Sequence, residues 1–156
     1  MERRHVDIFT DGSCIRGPRN KKFIDGAGGW AAVLYYGNES LNLYGGEYKT
    51  TNNRMELTAA IKALEALQES CDVTLMSDSE YVLIGITHVE GWKERDWVNK
   101  RGCPVSNRDL WEQLLPLLKK HVVHTKWIKG HSGIPGNEIC DSLASTMSKR
   151  IMQEHM

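Results

Sequence analysis

The stretch Val6-Asp7-Ile8-Phe9-Thr10-Asp11-Gly12-Ser13 decides how the chain reads. Val6, Ile8 and Thr10 alternate with Asp7, Phe9 and Asp11, the period-two pattern of a strand, and Gly12-Ser13 ends the run. The pattern places a strand over 5–14 and a loop over 15–26. Two further strand patterns, 29–36 and about 40–48, form a hairpin turning at Gly37-Asn38. The period then changes. Leu57, Ala60, Ile61, Leu64 and Leu67 recur at helical spacing over 51–68, behind the cap-like Thr51-Asn52-Asn53. A short strand follows over 72–77, then a helix of about two turns from Ser79 to Ile86. Residues 88–106 read as irregular, 107–120 as a helix, 122–128 as a strand and 137–153 as a closing helix. Three strands followed by alternating helices and strands predict an α/β fold, a mixed sheet flanked by helices.

The 156 residues suit one domain, so we expect a single unit over 1–156. Lys plus Arg equals Asp plus Glu, at 20 each, which excludes a uniformly basic nucleic-acid binder but not a locally basic face. The longest apolar run, Trp30 to Tyr36, is far short of the ~20 residues that cross a bilayer. Residues 1–7 have no apolar leader pattern and carry Glu2 and Asp7. Cys14, Cys71, Cys103 and Cys140 form no CxxC pair and read as reduced thiols. These features predict a cytoplasmic protein with no membrane partner.

Two motifs read as structural. Gly26-Ala27-Gly28-Gly29-Trp30-Ala31 has the spacing of a dinucleotide loop but opens a strand pattern, whereas that loop must open a helix. His121 and His124, with Cys103 and Cys140 elsewhere, are too loosely spaced for a zinc site. The acids are more informative. Asp11 and Asp78 each end a strand pattern, Glu56 lies in the first turns of the main helix, and Asp141 lies beside the apolar stripe of the last. Singly, each has a plain reading as a turn, cap or solvated residue.

Together they carry a resemblance. Phe9-Thr10-Asp11-Gly12-Ser13, Thr50-Thr51-Asn52-Asn53-Arg54-Met55-Glu56-Leu57, Ser77-Asp78-Ser79-Glu80-Tyr81-Val82, Lys129-Gly130-His131-Ser132-Gly133 and Gly136-Asn137-Glu138-Ile139-Cys140-Asp141-Ser142-Leu143-Ala144 resemble the type 1 ribonuclease H family, in its order and at about its spacing. The likeness runs from about residue 6 to 147. It implies a five-stranded mixed sheet whose first three strands are antiparallel. It implies hydrolysis of the RNA strand of RNA/DNA hybrids, leaving 5′-phosphate and 3′-hydroxyl ends, by a monomer of the bacterial type.

The implied metal ligands are Asp11, Glu56, Asp78 and Asp141. Four converging carboxylates repel one another unless cations join them, and oxygen ligands suit Mg²⁺, with Mn²⁺ able to substitute. Two ions would activate a water and stabilise the leaving 3′-oxygen in an in-line displacement. His131 would assist proton transfer or product departure. The resemblance assigns hybrid contacts to Asn52, Asn53 and Asn137, and a DNA-strand phosphate pocket to Lys49, Thr51 and Asn107. It adds Cys14 to the substrate-binding set, and a basic protrusion with Trp92, Lys93, Trp97, Lys100 and Arg101.

The chain departs from the pattern in three places. The protrusion over 89–108 has five cations against three acids, fewer net charges than in the relatives it resembles. Glu80 stands where relatives commonly carry Gln. The loop Ile15 to Asp25 is longer and basic, and Arg16, Arg19, Lys21 and Lys22 are candidates to replace lost phosphate contacts. Three other classes compete. A non-catalytic hybrid-binding domain is expected to have lost a carboxylate, and none is missing. A transposase or resolvase relative usually takes its glutamate from a late helix. A zinc-stabilised interaction domain would be revealed by its metal content.

Overall fold

The structure is a computed structural model that describes residues 2–16 and 26–155. Arg19, Lys21 and Lys22 of the basic loop lie outside the described residues, and Arg16 ends the first strand. The elements are β1 (His5–Arg16), β2 (Gly26–Tyr36), β3 (Glu39–Thr50), α1 (Asn52–Glu65), β4 (Asp72–Ser77), α2 (Glu80–Glu94), α3 (Arg108–Lys120), β5 (Val122–Trp127) and α4 (Pro135–Glu154).

The five strands form one sheet in the order β3-β2-β1-β4-β5. β1 pairs antiparallel with β2, and β2 with β3, while β1–β4 and β4–β5 are parallel. This is the expected mixed sheet. Parallel strands need a crossover, and α1 supplies it between β3 and β4, as α2 and α3 do between β4 and β5.

Each sheet face has its own core. Val6, Ile8, Val73 and Leu75 meet Leu57, Ile61 and Leu64 of α1 and Trp111 and Leu114 of α3. Phe9, Ala31, Val33 and Ile128 meet Cys140 and Ala144 of α4. Each fully buried Leu, Ile or Val contributes about 1.5–3 kcal/mol, so the first cluster dominates stability. The alternation in β1 thus has a direct cause: Ile8 serves one core and Phe9 the other.

The elements match the sequence reading with one main exception. α2 runs to Glu94, so residues 88–94 are helical rather than irregular. Gly85 and Gly91 weakened the helical signal. Yet a Cβ on Gly85 would meet the Trp111 ring at 2.1 Å, so glycine is what lets α2 close on α3. The glycine-rich string Gly26 to Ala31 opens a strand and not a helix, and the strand begins at Gly26, three residues before the pattern placed it. His121 Nδ1 accepts from Cys71 N, and His124 Nε2 lies 3.3 Å from Asp72 Oδ1.

Candidate active site

Asp11 sits inside β1, Glu56 in the first turns of α1, and Asp78 directly after β4. β1 and β4 are neighbours in the parallel part of the sheet, and α1 packs on β1, so the three acids meet. Each offers an oxygen, and the three oxygens lie within 4.8 Å of one another. They are the one such cluster of potential metal ligands among the described residues.

Two glycines make the approach possible. A Cβ on Gly12 would stand 2.6 Å from Glu56 N and 2.8 Å from Met55 C, so α1 packs on bare β1 backbone there. A Cβ on Gly130 would stand 2.6 Å from Asp78 Oδ2. Thr51 caps α1, its hydroxyl accepting from Arg54 N at 3.3 Å, and so fixes the turn that carries Glu56.

The electrostatics are those of crowded acids without a counter-charge. Burial, then the Asp78 carboxylate, pushes the Asp11 carboxyl up to about 7, against a 2.9 Å hydrogen bond from Gly12 N. Burial and the Asp11 and Asp78 charges hold Glu56 well above the ordinary carboxylate range. Asp78 is raised too, chiefly by burial. Burial, aided by the Asp11 charge, pushes the Cys140 thiol up to about 12. Glu56 is 4% exposed, and its Oε2 has no hydrogen-bond partner. No Lys or Arg pairs with any of the three among the described residues. A buried, unpaired oxygen among mutually repelling acids is costly unless a cation joins it. The donor set is all oxygen, which fits a hard divalent ion.

Asp141 lies outside the tight triad, on α4, with Oδ2 3.8 Å from His131 Nδ1. His131 is exposed, with φ 57°, in the loop that carries Gly130. Asn137, in the first turn of α4, is 2% exposed, and its Oδ1 has no partner. Lys49, Thr51, Asn52 and Asn53 form an exposed run where β3 passes into α1. Asn107 joins this corner, its Oδ1 accepting from Arg54 Nη1 at 3.3 Å. Cys14 is half-buried, with Sγ donating to Thr50 O at 3.5 Å. Lys93, Lys100 and Arg101 are exposed.

Two aromatics are placed differently from a surface contact. Trp97 is 7% exposed and belongs to the core, under the Arg108 guanidinium. Trp92 packs edge-on to Trp111, with centroids 5.3 Å apart. Their rings serve the packing of α2 on α3.

A family model described as RNase H matches residues 3–149. The chain belongs to the ribonuclease H family. Members of that family are metal-dependent endoribonucleases that cleave RNA in RNA/DNA hybrids, in keeping with the acidic triad. The ribonuclease H of Oleidesulfovibrio alaskensis is 48% identical over 149 residues, covering 94% of this chain and 92% of that protein. The ribonuclease H of Alcanivorax borkumensis is 48% identical over 143 residues, covering 91% and 90%. Among solved structures, LC9-RNase H1, described as a type 1 RNase H with the type 2 active-site motif, superposes with a TM-score of 0.83 at 28% identity. That match covers 97% of this chain and 75% of the other.

Sequence reasoning did not single out Gly12, Gly130, Arg54, Tyr81 or Asp109 as supports of the site. The glycines lay inside the quoted motifs, and Arg54 lay between Asn53 and Glu56, so the first signal was present. The partners of Arg54 lie more than 50 positions away and carry no local signal.

Proposed function

We propose that this ribonuclease H acts as a monomeric, cytoplasmic, single-domain enzyme over residues 1–156, cutting the RNA strand to leave 5′-phosphate and 3′-hydroxyl ends. The observation that carries the reading is the triad of Asp11, Glu56 and Asp78 oxygens within 4.8 Å, with Glu56 Oε2 buried and unpartnered.

Asp11, Glu56, Asp78 and Asp141 would hold two Mg²⁺ ions, with Mn²⁺ able to substitute. When bound, the ions would supply positive charge to an attacking water and to the departing 3′-oxygen. The rest falls to the chain. Gly12 N–H, donating to Asp11 Oδ1, favours the ionised carboxylate that ligation requires. His131, exposed at the rim beside Asp141, exchanges its proton with solvent and with the departing product. Asn137, in the first turn of α4, would contact the hybrid near the scissile phosphate. Asn52 and Asn53 lie exposed beside Glu56, where contacts to 2′-hydroxyls would distinguish RNA from DNA. Lys49, Thr51 and Asn107 would take a DNA-strand phosphate, while Lys93, Lys100 and Arg101 would take others.

The test is incubation with a labelled RNA/DNA hybrid, with Mg²⁺ and with EDTA, beside RNA/RNA and DNA/DNA controls. Metal-dependent cutting of the hybrid's RNA strand alone is expected. A folded chain that cuts nothing with Mg²⁺ or Mn²⁺ would turn the reading to a hybrid-binding domain, with Glu80 the first suspect.

A further inference from the structure

A hydrogen-bonded relay joins two of the carboxylate-bearing segments without touching the carboxylates. Arg54, two residues before Glu56, grips Asp109 with a fork: Nη1 to Oδ1 at 2.9 Å and Nη2 to Oδ2 at 2.7 Å. The same Nη1 donates to Asn107 Oδ1 at 3.3 Å. Asn107 Nδ2 donates to the Tyr81 hydroxyl at 2.9 Å. Trp111 Nε1 donates to that hydroxyl as well, at 3.3 Å. Tyr81 lies three residues after Asp78.

The relay runs at the expense of local structure. Asn107 is the N-cap of α3, a position where Asn ordinarily accepts from its own helix. Here it makes no side-chain cap bond and holds a left-handed backbone, φ 59°. Asn at an N-cap that serves a neighbour instead indicates that the tertiary bond prevails over the local one. At the other end Arg54 is anchored through its backbone: its N–H donates to Thr51 Oγ1 at 3.3 Å, and its carbonyl accepts from Thr58 Oγ1 at 2.7 Å. These bonds fix the helix turn from which the guanidinium reaches α3, and the same turn carries Glu56.

We propose that the chain Asp109–Arg54–Asn107–Tyr81 is a positioning device that sets the spacing of Glu56 and Asp78, and so the affinity of the cleft for divalent metal. The inference rests on the reading of the triad as a metal site. Acids that repel each other drive their supporting segments apart, and α1 and α2 are held against that force through α3. Supports of this kind orient ligands without contacting the ion.

Tyr81→Phe removes one hydroxyl and leaves the ring. Arg54→Lys keeps the charge and loses the fork. Val89→Ala loosens the same core with no member of the relay touched. The measurements are Mn²⁺ binding to the substrate-free chain by calorimetry, melting temperature, and rate against Mg²⁺ concentration on a hybrid. Expected is about a tenfold loss of Mn²⁺ affinity in Tyr81→Phe and in Arg54→Lys. Their rates should recover at high Mg²⁺. Val89→Ala should lower the melting temperature and leave metal affinity alone. Wild-type affinity in both relay variants would overturn the proposal, as would an equal loss in Val89→Ala. A wild-type chain that neither binds Mn²⁺ nor cuts hybrid would overturn the reading of the triad itself.

Discussion

Asp78 Oδ2 lies 2.6 Å from the point where a Cβ would stand on Gly130, so the carboxylate fills space that only glycine leaves open. The clashing atom is the end of a side chain, which can swing away. Gly130→Ala should therefore fold with a melting temperature close to wild type, yet lose turnover by about tenfold or more, equivalent to at least about 1.4 kcal/mol of transition-state stabilisation. At Gly12 the neighbours are Glu56 N and Met55 C, which are backbone and cannot give way. Gly12→Ala should cost about 3 kcal/mol of stability as well as activity. Thermal melts and initial rates on the two variants separate the cases.

Metal-free stability should depend on pH through Asp11. Its folded value of about 7 stands above the ordinary 3.8 because it is buried beside Asp78 and Asp141. Between those values the folded chain keeps a proton that the unfolded chain has released. The associated stability is fully present below pH 3.8 and is lost as pH rises through about 7. Asp11→Asn carries no charge to lose. Its apo melting temperature should exceed wild type by several degrees at pH 8 and by clearly less at pH 5, with turnover abolished. Melts in EDTA at both pH values check this. A variant that melts below wild type at pH 8 would refute the account of repulsion.

The acids were legible only as a set: Asp11 before Gly12-Ser13, Glu56 behind the Thr51 cap, Asp78 before the Ser79 cap of α2 and Asp141 in the last helix each read plainly alone, and their motifs together carried the resemblance. The change of period at Thr51 gave a mixed α/β sheet, the resemblance implied its five strands with the first three antiparallel, and the order β3-β2-β1-β4-β5 came with the structure. What the sequence concealed was long-range. Arg54 and Asp109 are 55 positions apart. Trp97, set among Lys93, Arg95 and Lys100, reads as a surface aromatic. It is buried because consecutive left-handed residues, Asp96 and Trp97, turn the chain back on the core. The extent of α2 was missed because the contact that accepts Gly85 comes from Trp111.

His131 offers a separation of roles. Its ring is exposed, 3.8 Å from Asp141 Oδ2 and outside the tight triad. His131→Ala should lower kcat by about 100-fold, the lower end of general acid–base effects. Calorimetric Mn²⁺ affinity should stay close to wild type, since the triad keeps its ligands. A large fall in metal affinity would make His131 a ligand instead.

The protrusion can be tested through salt. Val98 and Pro104 pair across a closed loop, and Asn99 Oδ1 accepts from both Arg101 N and Cys103 N at 3.0 Å. Gly102, with φ 81°, completes the turn. This frame presents Lys100 and Arg101 to solvent on a rigid tip, which limits the entropy lost on binding a phosphate. Each phosphate contact adds about 0.9 to the slope of log affinity against log salt on B-DNA, with a hybrid taken as similar. The double variant Lys100→Ala, Arg101→Ala should raise KM for the hybrid at low salt and flatten that slope by about two. The melting temperature should hold, because neither side chain is buried. KM measured between about 50 and 200 mM salt gives the slope directly. An unchanged slope would place the hybrid's phosphates elsewhere on the surface, whatever the effect on KM.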